Sequence, residues 1–227
     1  MTLLHRQQIS LDAYFKLLKG KGVADDDIAR RQQLLEKLLP LLAKRPVKGE
    51  YYRGAVDEAL LAIEKVDWPF FLTVARDFFH FWVNDFKAIA ALHERGVFEP
   101  ASHLPLTPEG TLKDLWARLD TEKFSVSEKW PINTYKAALR DEGIENEVID
   151  IRIRLAQLLL IQLRKVEGHD SRAYRLAAES MLPVFAKKET SELFISAVRE
   201  FFHFWLGDPN AAERISSAQA GDQGSLW

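Results

Sequence analysis

The run Arg76-Asp77-Phe78-Phe79-His80-Phe81-Trp82 returns as Arg199-Glu200-Phe201-Phe202-His203-Phe204-Trp205. Within 227 residues, five consecutive identical residues of uncommon types point to a tandem duplication, and the rest of the chain aligns outward from this anchor. Phe71, Val74, Ala75, Phe78, Phe79 and Trp82 lie at helical intervals, as do Phe194, Ala197, Val198, Phe201, Phe202 and Trp205. An apolar face this broad belongs to a helix covered on most sides. The expectation is an all-α protein.

Tyr14 aligns with Tyr135, Gly22-Val23 with Gly143-Ile144, Ile28 with Ile149, Arg31 with Arg152 and Leu38 with Leu159. Further on, Tyr52-Arg53 aligns with Tyr174-Arg175, Asp57 with Glu179 and Phe71 with Phe194. A first repeat over 1–96 and a second over 135–208 follow, each of about four helices. The proline-bearing stretch 97–134 reads as a connector with one short helix, and the small, polar residues of 209–227 as a flexible tail. The repeats are expected to pack as a pseudo-twofold bundle, with a short superhelix of helical hairpins as the alternative.

Locally, 1–10 reads as a loose lead-in before a short helix, and Pro40 predicts a kink or an early end in the second helix. A third helix is expected over 50–66, and a fourth from Asp67-Trp68-Pro69 through Phe86 and Leu92 to a stop at Gly96. Thr107-Pro108-Glu109 reads as the cap of the connector helix. Val148–Leu155 alternates like a strand, but its aligned partner Ala29–Leu35 is strongly helical, so both are read as helix.

Composition narrows the function classes. A net charge of −2 argues against a general nucleic-acid binder. With no cysteine there is no disulfide framework, thiolate nucleophile or cysteine-ligated metal. Met1–Gln8 lacks the basic-then-apolar pattern of a secretory leader, and no apolar run nears the roughly 20 residues needed to span a bilayer. A cytoplasmic protein without membrane partners is expected. Phosphate loops, dinucleotide fingerprints and nucleophile elbows are missing from the sequence.

The polar residues of the repeat admit two readings. In the first, Tyr52, Arg53, Arg76, Tyr174, Arg175 and Arg199 form a structural network, in which Asp57 and Glu179 pair with arginines. The protein is then a non-enzymatic scaffold without cofactor. It binds another protein through a groove between its repeats or through the connector. In the second, Asp77-x-x-His80 and Glu200-x-x-His203 carry the carboxylate–histidine spacing of four-helix dimetal sites. Asp57 and Glu179 would be the bridging carboxylates, and an iron or manganese pair would serve oxidoreductase-type chemistry. Against it stand the short aspartates at 57 and 77 and the neighbouring cations Arg76 and Arg199. A homo-oligomer built on exposed aromatics is compatible with either.

Overall fold

Helix α4 (Trp68–Val83) carries the first copy of the motif and is buried along almost its whole length. The computed structural model describes residues 3–43, 45–94, 98, 105, 107–185 and 187–215, and every regular element among them is helical. The chain divides into two units, Met1–Leu104 and Pro105–Trp227.

In the first unit α1 (Leu3–Gly20), α2 (Asp25–Leu42), α3 (Gly49–Leu60) and α5 (Phe86–Glu94) pack around α4. Phe71, Val74 and Phe78 are fully enclosed there. Each phenylalanine removed from water contributes about 2–3 kcal/mol, which makes α4 the stabilising centre of this unit. Helix α1 starts at Leu3, earlier than a loose lead-in allows, because it packs on α4. Ser10 donates its hydroxyl to the Phe81 carbonyl at 3.0 Å, and Gln7 is buried with it. Helix α2 runs two residues past Pro40 and ends at Leu42. Proline so close to a helix end removes only one late hydrogen bond.

Helix α3 stops at Leu60, short of the expected 66. The Trp68 indole N–H donates to both the Leu60 and Ile63 carbonyls at 3.1 Å and so caps the exposed end. A 3-10 turn over Lys65–Asp67 leads into α4. Asp67 does not cap α4 with its side chain; it pairs with Arg30 of α2 instead. The long fourth helix expected from the apolar pattern is two helices. Asn84 turns left-handed at φ 65°, and the Asp85 N–H closes back on the His80 carbonyl at 2.9 Å. The stop foreseen at Gly96 lies outside the described residues.

In the second unit α8 (Asn146–Leu163) packs against α6 (Leu112–Leu119), α7 (Val126–Asp141), α9 (Ser171–Met181) and α10 (Lys188–Leu206). The alternating Val148–Leu155 stretch lies wholly inside α8. Helix α10 carries the second motif and also contacts α7 and α9. Phe185 stacks on Phe194 at 4.4 Å, closing the hairpin between α9 and α10. The stretch read as a connector supplies α6 and the first turns of α7. The cap of α6 is Thr111, whose hydroxyl accepts the Asp114 N–H while Asp114 accepts that of Thr111. Thr107 lies too far upstream for that role. Within the tail, Ala211 and Ile215 are buried, and 216–227 lie outside the described residues.

Candidate functional site

The five-residue repeat has a geometric logic. Phe78 and Phe81 lie against Tyr14 of α1, with ring centroids at 5.8 and 5.3 Å. Phe79 and Trp82 lie against Tyr52 of α3, at 5.0 and 5.1 Å. Two pairs spaced by three residues, offset by one position, present aromatic faces to two flanking helices at once. Phe201 and Phe204 meet Tyr135 of α7 at 5.6 and 5.1 Å in the same manner. Phe202 and Trp205 meet Tyr174 of α9 at 4.9 and 5.1 Å.

The residue just before each aromatic run turns inward to a cation. In the first unit Arg31 of α2, fully enclosed, donates to the Tyr14 hydroxyl at 2.8 Å and stands 3.5 Å from Asp77. Its guanidinium also lies 5.1 Å from the Phe70 ring centroid. In the second unit Glu200 accepts from Tyr135 and from Arg152 of α8, both at 2.7 Å. Glu200 is one methylene longer than Asp77 and reaches both donors at once. These are charge-assisted bonds in a nearly dry setting.

The outer tyrosines tie helices together through the backbone. Tyr52 donates to the Ala75 carbonyl at 2.7 Å, and Tyr174 to the Val198 carbonyl. Burial pushes the hydroxyl pKa of Tyr14, Tyr52, Tyr135 and Tyr174 well above the ordinary phenol range. For Tyr135 the adjacent Glu200 charge adds to the effect.

The remaining candidates are placed as follows. Arg53 and Asp57 are exposed on α3, whereas Arg175 is half-buried and Glu179 is only 2% exposed on α9. Arg76, His80 and Arg199 are half-buried. His203 lies at the end of α10, where its Nδ1 is 3.3 Å from Asp208, so Glu200 and His203 engage different partners despite their spacing. Among the described residues no group of three or more histidine, aspartate or glutamate side chains is gathered closely enough to hold a metal ion. Also among them, no helix is long and apolar enough to cross a membrane. A shallow groove between α1 and α2 is lined by Asp12, Phe15, Lys16, Lys19, Ile28 and Gln32.

The central cations were missed by spacing arguments on a single helix. Arg31 pairs with Arg152, and Tyr14 with Tyr135, when the sequence is aligned on its repeated motif, and that pairing was the signal available for them. Comparison with protein-family models, curated protein sequences and solved structures gives no match for this chain.

Proposed function

We propose that the protein is a non-enzymatic helical scaffold that binds another protein, and that it arose by tandem duplication of one four-helix element. The duplication is supported by the repeated Phe-Phe-His-Phe-Trp run and by matching tyrosine–arginine–carboxylate clasps, α1–α2–α4 in one unit and α7–α8–α10 in the other.

The observation that carries the binding reading is how the chain distributes its chemistry. The motif carboxylates Asp77 and Glu200 are engaged inside their own units by Arg31 and Arg152. Large apolar side chains, by contrast, stand in solvent: Leu61 at 85%, Phe86 at 74% and Trp130 at 74% exposure. Polar residues that hold a core together and apolar residues left outside it suit a docking module better than a reaction centre.

A photo-crosslinking residue placed at 61, 86 or 130 in the source cells tests this, with the exposed polar positions Lys37 and Lys113 as controls. A discrete protein adduct is expected from at least one apolar position and from neither control. Adduct yields equal to the controls at all three positions would overturn the reading.

A further inference from the structure

Helix α7 buries Pro131, Ile132, Tyr135, Ala138 and Leu139 and turns the opposite face to solvent. On that outer face Val126 is 86% and Trp130 is 74% exposed, and Ala137 continues the same line. At 3.6 residues per turn these three fall within an arc of about 40°. Lys136, Lys129 and Arg140 fall within a second arc of about 40° immediately beside it. Lys129 and Arg140 are exposed; Lys136 is half-buried and 3.3 Å from Asp150. One helix surface thus sets an apolar ridge, centred on a tryptophan, against a basic ridge.

The helix backbone beneath this face is braced at its first turns. Ser125 caps the first turn, donating its N–H to Glu128 at 2.7 Å and accepting the Glu128 N–H in return. Arg164, the residue that follows α8, donates to the other Glu128 oxygen at 2.6 Å. Thr134 closes its hydroxyl on the Trp130 carbonyl at 2.6 Å. A partner would therefore meet a helix whose backbone needs little ordering on binding.

We propose that this face of α7 docks an acidic amphipathic helix of a partner protein, with an apolar stripe on Val126 and Trp130 and glutamate or aspartate beside Lys129 and Arg140. The proposal rests on the scaffold reading and names its partner's chemistry. The line from Val126 to Ala137 spans about 17 Å at 1.5 Å per residue, the length of three turns of a facing helix. Charge complementarity selects the acidic partner over a neutral or basic one. A bilayer fits less well. The ridge offers only two large apolar side chains, too little apolar area to hold a helix in the interface of a membrane.

The test is selection from a random peptide-display library against the intact chain, with Trp130→Ala and Lys129→Glu/Arg140→Glu as comparison targets. Selected peptides are expected to be amphipathic and acidic, and to bind Trp130→Ala roughly 30-fold more weakly, the effect of losing a hot-spot aromatic. The charge-reversed target should enrich basic peptides instead. Peptides without acidic bias, binding indifferent to Trp130, or no enrichment would overturn the proposal. So would phosphatidylserine vesicles that retain wild type but not Trp130→Ala, or dimers that Trp130→Ala abolishes. Cellular crosslinks confined to positions 61 or 86 would remove this site and leave the scaffold reading standing.

Discussion

Arg152 meets Glu200 at 2.7 Å across 48 residues of sequence, and Tyr135 donates to the same carboxylate oxygen. Glu200→Ala leaves a largely buried guanidinium without that carboxylate and should lower unfolding stability by about 3–5 kcal/mol, the range for breaking such pairs. Glu200→Asp withdraws the carboxylate by one methylene and should lower it by about 1–2 kcal/mol. Urea titration of the three proteins gives the ranking, and equal midpoints for all three would show the clasp to be idle.

The first unit gives a complementary test. Arg31→Met leaves Asp77 buried beside an apolar neighbour and should destabilise by about 3 kcal/mol or more. Adding Asp77→Leu to that variant should recover a substantial part of the loss, because two apolar groups need no mutual charge. A double variant as unstable as the sum of its singles would contradict this.

Tyr14, Tyr52, Tyr135 and Tyr174 are raised above the normal phenol range by burial, so their ionisation is tied to unfolding. In an alkaline titration their phenolate absorbance should appear together with loss of helical circular dichroism. Tyr52→Phe and Tyr174→Phe should each cost about 1 kcal/mol, the worth of one hydrogen bond to a backbone carbonyl.

Arg164, through its hydrogen bonds, lowers the Glu128 carboxyl from 4.5 to about 2. Its folded value lies below its unfolded one. The stability it contributes is therefore fully present above pH 4.5 and is lost as pH falls from there through about 2. Glu128→Gln should flatten the acid limb of the stability profile over that window and loosen the first turn of α7. An unchanged acid limb would remove Glu128 from the account.

Asn84 is the one described residue other than glycine with positive φ, and it separates α4 from α5. Asn84→Gly should be tolerated, whereas Asn84→Val should cost about 1–2 kcal/mol through backbone strain. Thermal unfolding of the two variants distinguishes them. Trp130→Ala, on a solvent-facing position, should shift stability by no more than about 0.5 kcal/mol.

The all-helical class was legible in the sequence because helical periodicity is local: Phe71, Phe78 and Trp82 announce one face with no knowledge of what covers it. The motif's aromatic spacing was legible for the same reason, and the helical reading of Val148–Leu155 rested on its aligned partner. The break at Asn84 was not, since one residue entering the left-handed region interrupts a helix without disturbing the apolar pattern around it. The partners of Asp77 and Glu200 were also beyond sequence spacing. Asp57 and Glu179 occupy aligned positions, yet one is exposed and the other is enclosed. The carboxylate–histidine spacing at Glu200 and His203 suggested convergence, but a shared helix side does not decide which neighbour each side chain reaches. Only the packing of α1 and α2 on α4, and of α7 and α8 on α10, brings Arg31 and Arg152 to those carboxylates. A buried charge must take the partner that tertiary structure places within reach, and nothing in helical periodicity names that partner.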